Sequence, residues 1–175
     1  MRSVFVCLVL FLVICLCGCS YGSKGYFSFR ERGFCAEVRG ELHGEPFAAE
    51  VSVKPSGDTY LVQVCYLSPE TLESLRVTAT CERGGAVRGE GCLLWEAHES
   101  RLDAASLTGL LLPVTVLLTD AEVATVRYEG DTCYLTLVDG VSLTLGEDGL
   151  PRSLRAEEIS FEVVWLECSD MTDLV

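Results

Sequence analysis

An apolar run near the amino terminus constrains this 175-residue chain more than any other feature. Arg2 supplies one positive charge, the residues from Val4 to Leu16 carry no charged side chain, and the small residue Gly18 follows. A basic start, an apolar centre and a small residue at the end are typical of a secretory signal peptide. A plain transmembrane anchor is the alternative, but the run is shorter than the ~20 residues that a membrane-spanning helix needs. The sequence therefore predicts a signal peptide over residues 1–18.

The residue after this run is a cysteine, and the pair Gly18-Cys19 resembles the bacterial lipobox. The resemblance implies cleavage before Cys19, whose thiol carries diacylglycerol. Cys15 and Cys17 fit worse because each follows a bulky aliphatic residue. We therefore expect residues 19–30 to form a lipidated amino terminus and a tether. The folded part would then lie on the extracytoplasmic face of the cell membrane.

The charge of the exported chain excludes one class of partner. Residues 19–175 contain 12 basic and 26 acidic side chains, which gives a net charge of −14. An acidic surface without a basic cluster repels phosphate backbones, so we expect no nucleic acid partner. Repulsion from an anionic leaflet also means that the acyl chains, and not charge, must hold the protein on the membrane. The remaining length is that of one domain, which we place at residues 31–175.

The folded part contains an even number of cysteines. Three disulfides are compatible with export, and free thiols that pack as small apolar side chains are equally compatible. With only two histidines in the chain and no CxxC spacing, no metal site is expected. The six cysteines whose state stays open are Cys35, Cys65, Cys81, Cys92, Cys133 and Cys168.

Alternation of apolar and polar residues dominates the pattern of secondary structure. Period-2 alternation over 34–42, 47–53 and 60–66, with turns between, predicts an antiparallel meander. Some eight or nine strands are predicted in all. One substantial helix is predicted over 104–118, because its apolar residues recur at helical spacing; Asp103 or Ser106 would cap it, and Pro113 would kink it or divide it into two pieces. Strands in this order around one helix indicate an α+β fold with the helix on one face of the sheet.

Three stretches resemble a known group of proteins: FCAEVRGELHGEPFAAEVSV, LVQVCYLSPETLESLRVTAT and DGVSLTLGEDGLPRSL. They are similar to small lipoproteins of Gram-positive bacteria and, through them, to the lipoprotein-carrier superfamily of LolA, LppX and LprG type. This resemblance implies a strongly curved antiparallel sheet, an unclosed half-barrel, with helices on its concave face. It also implies an apolar space between sheet and helix that accepts a lipid-like ligand.

The resemblance places a candidate ligand site between the helix and the strands. The residues expected to line it are Val38, Val51, Val62, Val64, Leu107, Leu110, Leu111, Val114 and Leu118. Two functions remain open at this point. The first is binding of an apolar ligand, and the second is a structural or protein-interaction adaptor whose core is filled by its own side chains.

The sequence offers no enzyme motif in the part expected to fold. It has no HExxH, P-loop or GxGxxG pattern, and its one GxSxG match, Gly18-Cys19-Ser20-Tyr21-Gly22, coincides with the lipobox-like segment. His98-Glu99-Ser100 combines the residue types of a catalytic triad, but neighbours in sequence rarely converge, and the segment is interpreted as a polar loop. We therefore expect a non-enzymatic protein without a catalytic residue or cofactor; a protein partner is not identified.

The lipobox generates the first testable prediction. Cys19→Ser removes the only thiol that follows a small residue at the end of the apolar run. The variant should therefore leave the membrane fraction or accumulate as an uncut precursor. Two acyl chains are needed for firm anchoring, so loss of the lipid should be visible by fractionation and gel mobility. Cys17→Ser serves as the control and should behave like the wild type. If Cys19→Ser also fractionates and migrates like the wild type, the anchor has been misassigned.

Overall fold

The computed structural model describes residues 25–168, which form eleven β-strands and two α-helices. The helices are α1 (Ser28–Arg32) and α2 (Ala104–Leu118). The strands before α2 are β1 (Phe34–Leu42), β2 (Glu45–Ser56), β3 (Thr59–Ser68), β4 (Arg76–Glu82), β5 (Val87–Trp95) and β6 (His98–Asp103). The strands after α2 are β7 (Val123–Glu129), β8 (Thr132–Leu137), β9 (Ser142–Leu145), β10 (Pro151–Arg155) and β11 (Ile159–Cys168).

All eleven strands belong to one antiparallel sheet with the order β6-β5-β4-β3-β2-β1-β11-β10-β9-β8-β7. Strands β1 to β6 form one meander that runs outward to the β6 edge. Helix α2 then carries the chain to the opposite edge, where β7 begins a second meander that returns to the centre. The two meanders meet where β1 pairs with β11, from Phe34↔Cys168 to Leu42↔Ile159. The sheet is not closed, because β6 and β7 are its two ends.

The length of the connection through α2 requires the sheet to curve. Ten strand spacings separate β6 from β7, which in a flat sheet would be about 48 Å. Helix α2 has 15 residues and rises about 22 Å, and residues 119–122 add at most about 14 Å. The connection can therefore join the two edges only if the sheet bends towards the helix. The predicted curved half-barrel with a helix on its concave face is confirmed.

Irregular pairing contributes to this bend. The register between β1 and β11 shifts at Glu37/Val38, that between β2 and β3 at Ala48/Ala49, and that between β4 and β5 at Thr78/Thr80. An extra residue on one strand bends it and increases the local twist. The inward residues of the strands are buried on both sides of these shifts, so the core is continuous around the curve.

The predicted alternation is confirmed in the central strands and fails at the edges. In β2 every second residue from Phe47 to Val53 is buried. His98-Glu99-Ser100, interpreted as a polar loop, instead begins strand β6, in which five of six residues are exposed. Strand β7 is almost wholly exposed as well. An edge strand with so few buried residues lacks the apolar alternation by which strands are recognised in sequence.

The folded part includes residues that the sequence placed in the tether. Helix α1 begins at Ser28 and packs against β2. The Phe29 ring is fully buried and meets the Phe34 ring edge-on, with their centroids 5.6 Å apart. Phe27 is also buried. These aromatic contacts fix the start of the chain against the sheet.

Two predicted features lie outside the described residues, namely the signal peptide over residues 1–18 and the lipidation site Cys19. Within residues 25–168, no helix has both the length and the apolar character that crossing a membrane requires.

A pair of glycine substitutions tests how closely α2 approaches the sheet. A Cβ added at Gly91 in β5 would lie 2.5 Å from Leu107 Cδ1 and 2.7 Å from the Thr78 carbonyl oxygen. Gly91→Ala should therefore lower the free energy of unfolding by about 1–3 kcal/mol. Gly109 lies on the exposed side of α2 with open space around it. Gly109→Ala should raise the free energy of unfolding by up to about 1 kcal/mol, because alanine favours a helix. Urea unfolding of both variants measures the difference. A neutral Gly91→Ala would contradict the close packing of helix on sheet.

Candidate functional site

Helix α2 is largely apolar, and its polar side chains are Ser106, Thr108 and Thr115. Its sequence, AASLTGLLLPVTVLL, contains no charged residue. Such a helix is stable only when it is covered on more than one side. Leu107, Leu111, Val114, Leu117 and Leu118 are at most 1% exposed, and the helix packs against β2, β3, β4, β5 and β6. Leu110, Leu112 and Val116 are half-buried; Leu112 and Val116 lie one turn apart, so the outer side of the helix keeps apolar surface that is partly open.

Few polar contacts hold the helix in place. The Asp103 side chain accepts a hydrogen bond from the Ser106 backbone N–H at 2.8 Å, and this hydrogen bonding lowers the pKa of the Asp103 carboxyl. In the middle of the helix, the Tyr66 hydroxyl donates to the Leu110 carbonyl oxygen at 2.9 Å. Burial raises the pKa of Tyr66, so its hydroxyl remains a donor at neutral pH. Apart from these contacts, the interface between helix and sheet is formed by apolar side chains.

The structure brings the predicted site residues together in one cluster. Eight of the nine are at most 1% exposed, and the ninth, Leu110, is half-buried. The four strand residues lie on the inward face of β1, β2 and β3, which is the face that belongs to the core. Side chains of the chain itself therefore meet across the space in which a ligand was predicted. That these residues bind a ligand stays a prediction.

Two of three clefts in the described part lie away from this cluster, and the third reaches its edge. One of about 610 Å³ follows the outward face of β1, β11, β10 and β9, and it is lined by polar side chains that include Arg39, Ser153 and Glu162. A cleft of about 340 Å³ lies between Tyr26 and Tyr128, whose hydroxyl oxygens are 3.3 Å apart. A third, of about 300 Å³, lies beside α1. Of these three clefts, it is the one that reaches a predicted site residue, Leu118.

This third cleft contains a residue that sequence reasoning missed. Arg30 lies on its wall and is only 6% exposed, which makes it the buried charged residue of the described part. Arginine is rarely buried without a partner. The sequence indicates the burial of Arg30 only weakly, through the two aromatic residues Phe27 and Phe29 shortly before it. These rings cover its side chain, and the Arg30 Cζ atom lies 3.8 Å from the Phe27 ring centroid.

The six cysteines of the described part are all free thiols in the structure. Cys81 and Cys133 are buried in the core, where they act as small apolar side chains. Burial raises the pKa of the Cys81 thiol to about 11, so it is not a reactive nucleophile at neutral pH. Among residues 25–168, no three side chains of the histidine, cysteine, aspartate or glutamate type are grouped in a way that could hold a metal ion.

Comparison with known proteins finds structures with a similar arrangement of strands and helices, at low sequence identity. No family model and no curated protein matches the chain. A solved structure of an uncharacterized conserved protein from Thermus thermophilus has a TM-score of 0.48 at 13% identity, covering 86% of this chain and 89% of that one. An outer membrane lipoprotein-sorting protein domain from Vibrio parahaemolyticus has a TM-score of 0.46 at 9% identity, covering 85% and 91%. MucB has a TM-score of 0.45 at 15% identity, covering 84% and 60%.

One of these similar structures is a lipoprotein-sorting domain. The similarities give no support to the resemblance to Gram-positive lipoproteins in particular. With TM-scores below 0.5, they say nothing about what this chain binds.

The hydrogen bond from Tyr66 generates the third prediction. Tyr66→Phe removes the donor to Leu110 and should lower the free energy of unfolding at pH 7 by about 1 kcal/mol. The pKa of Tyr66 is raised in the folded state, so its contribution is fully present below the ordinary tyrosine pKa of about 10 and is lost as the pH rises above it. The difference in stability between wild type and Tyr66→Phe should therefore shrink above pH 10. Urea unfolding at pH 7 and pH 10.5 measures it.

Tyr128→Phe is the matched control, because Tyr128 is an exposed residue whose hydroxyl lies 3.3 Å from the Tyr26 hydroxyl, away from α2. Its free energy of unfolding should stay within about 0.5 kcal/mol of wild type at pH 7. Equal losses in the two variants would mean that the Tyr66 hydroxyl does not help to hold α2.

Proposed function

We propose that this chain is a non-enzymatic binding protein of the extracytoplasmic membrane face, anchored by lipid at Cys19, and that it takes up an apolar chain between α2 and the concave sheet. The observation that carries this proposal is the character of α2. It is a helix without a charge, covered by a sheet, and held by one side-chain hydrogen bond in its middle and one at each cap.

Uptake of an apolar chain between two apolar surfaces has a favourable energetic basis. A helix fixed by ion pairs would have to lose them on moving, but no ion pair of the described residues involves α2. If the helix moves outward, the ligand covers the sheet face and the helix face that are uncovered. Burying each methylene of the ligand contributes roughly 0.8 kcal/mol, so a chain of a dozen carbons can bind without a charged contact.

The half-buried side of α2 supports the same proposal. Leu112 and Val116 present apolar surface next to solvent on the outer side of α2. A helix with apolar residues on its outer side can shift outward and still remain covered by a membrane surface or by a ligand. The lipid at Cys19 would keep the domain close to a source of acyl chains.

One observation favours a second function, that of a structural or protein-interaction adaptor. The predicted site residues are already buried against one another. A core that is filled in this way needs no ligand for its stability. In an adaptor, partner proteins would use the outer surface of the sheet, and the interior would serve only to hold the fold.

Substitutions at Leu111 separate the two functions. Leu111 is fully buried between helix and sheet. In a binding protein, Leu111→Ala should increase uptake of a fluorescent fatty acid by enlarging the space, whereas Leu111→Trp should lower it at least tenfold by filling that space. Leu111→Ala should also cost about 2–5 kcal/mol of stability, and Leu111→Trp about 1–3 kcal/mol. Measuring fatty-acid binding and thermal unfolding on the same samples checks both effects.

Leu112→Trp is the control, since Leu112 is half-buried on the same helix. It should leave uptake within a factor of two of wild type. If wild type binds no fatty acid and both Leu111 variants change only the melting temperature, the adaptor is the correct function.

A further inference from the structure

Arg30 is buried without a partner for its side-chain nitrogens. It lies in α1 and is 6% exposed, and its Nε and Nη2 atoms are inaccessible to solvent. Neither atom has a hydrogen-bond partner among residues 25–168. The Phe27 and Phe29 ring centroids lie 3.8 Å and 5.6 Å from Arg30 Cζ. These aromatic faces attract a cation, but they offer no oxygen that could accept from the guanidinium.

An unpartnered guanidinium of this kind is unusual in a folded protein. Buried polar groups are almost always hydrogen-bonded, and each exception needs an explanation. Burial lowers the pKa of Arg30 to about 10, against the opposing effect of the Asp120 charge, so the side chain is still a cation at neutral pH. Its Nε and Nη2 groups are therefore charged donors without an acceptor among the described residues, and a ligand oxygen reaches them only if the Arg30 side chain turns towards the cleft on whose wall it lies.

The surrounding cleft has room for such an acceptor. It measures about 300 Å³ and is lined by Arg30, Tyr60, Arg83 and Leu118 together with neighbouring residues. Two acids, Glu31 and Asp120, also lie on its wall. Neither forms an ion pair within 4.0 Å of Arg30 or Arg83 in the described part. The carboxyl end of α2 offers partial negative charge at Leu118, yet no carbonyl oxygen there accepts from the buried nitrogens.

A tight turn places the second arginine at this cleft. Arg83 lies in the turn between β4 and β5, and Gly85 in the same turn has a φ of +87°. A Cβ at Gly85 would lie 2.5 Å from the Thr115 carbonyl oxygen of α2. Only glycine lets the turn approach the helix so closely, and this approach sets Arg83 opposite α1.

We propose that the Arg30–Arg83 cleft binds the oxyanion head of an amphiphile, a carboxylate or a phosphate, and that the apolar chain of the same molecule passes Leu118 into the interface between α2 and the sheet. This inference rests on the proposed function and names its ligand class. The two guanidinium groups donate to the head-group oxygens. Leu118 joins the cleft to the interface, because it belongs both to the cleft wall and to the buried face of α2. In a chain of net charge −14 over residues 19–175, such local donors are needed to hold any anion.

The test compares three probes with the same twelve-carbon chain. Laurate and dodecyl phosphate carry an oxyanion, and dodecanol does not. Each competes with a fluorescent fatty acid for the full chain, extracted in a nonionic detergent at pH 7.5. The wild type should bind laurate or dodecyl phosphate at least tenfold more tightly than dodecanol. The relative strength of the two anions distinguishes a carboxylate from a phosphate ligand.

Three variants test which arginine produces the preference for the oxyanion probes over dodecanol. Arg30→Met keeps the length and apolar stem of the side chain, and it should reduce the preference for the oxyanion probes to less than twofold. Arg83→Gln changes a residue of a turn outside the core, so a loss of preference in this variant cannot be attributed to damage of the core. Arg32→Met is the matched control on the exposed side of α1, and it should keep the full preference. An undiminished preference in Arg30→Met, with the melting temperature showing a folded protein, would overturn the proposal.

The outcomes also separate this inference from the proposed function. Equal binding of all three probes would leave apolar uptake intact and refute the oxyanion site. Stabilisation by inorganic phosphate that depends on Arg30, without binding of any twelve-carbon probe, would support the oxyanion site and refute apolar uptake. No binding of any probe, together with no effect of phosphate, would refute both.

Discussion

The short connection between the two edges of the sheet is the constraint on which the rest of the structure depends. Helix α2 and residues 119–122 must reach from the end of β6 to the start of β7. A flat sheet of eleven strands is too wide for that, so the sheet wraps around the helix that joins its edges. A wrapped helix faces apolar side chains on several sides, and this explains why α2 carries no charge and why β1 to β4 bury alternate residues towards it.

The same constraint explains where polar groups occur in the interior. The polar contacts described for α2 lie at its caps and at the Leu110 carbonyl, where the Tyr66 hydroxyl donates. Arg30 departs from this rule, since it is buried beside the carboxyl end of the helix with two unpartnered nitrogens. A buried cation of this kind disfavours the folded state unless something compensates it. It is therefore more readily understood as part of a binding site than as a structural support.

Sequence reasoning was most successful for strands and helices that have one buried and one exposed face. The alternation of β1 to β3, the cap at Asp103 and the span of α2 all follow from local patterns, and the structure confirms them. The edge strand β6 could not be predicted, because it has almost no buried face and so no apolar periodicity. Arg30 could not be assigned a role either. Its burial arises from the packing of α1 on β2, which places Phe27 and Phe29 around it. The charge of a residue in a short segment does not reveal such tertiary surroundings.

Native mass spectrometry of the full chain, extracted from its own membrane, tests the central claim most directly. The account predicts a noncovalent adduct, in addition to any covalent lipid at Cys19, whose mass is that of an amphiphile with an acidic head. Denaturation should release this adduct, and Arg30→Met should reduce its occupancy relative to Arg32→Met. A wild-type protein that carries the covalent lipid alone, and that takes up no amphiphile when one is added, would contradict the account and leave a structural or protein-interaction adaptor as its function.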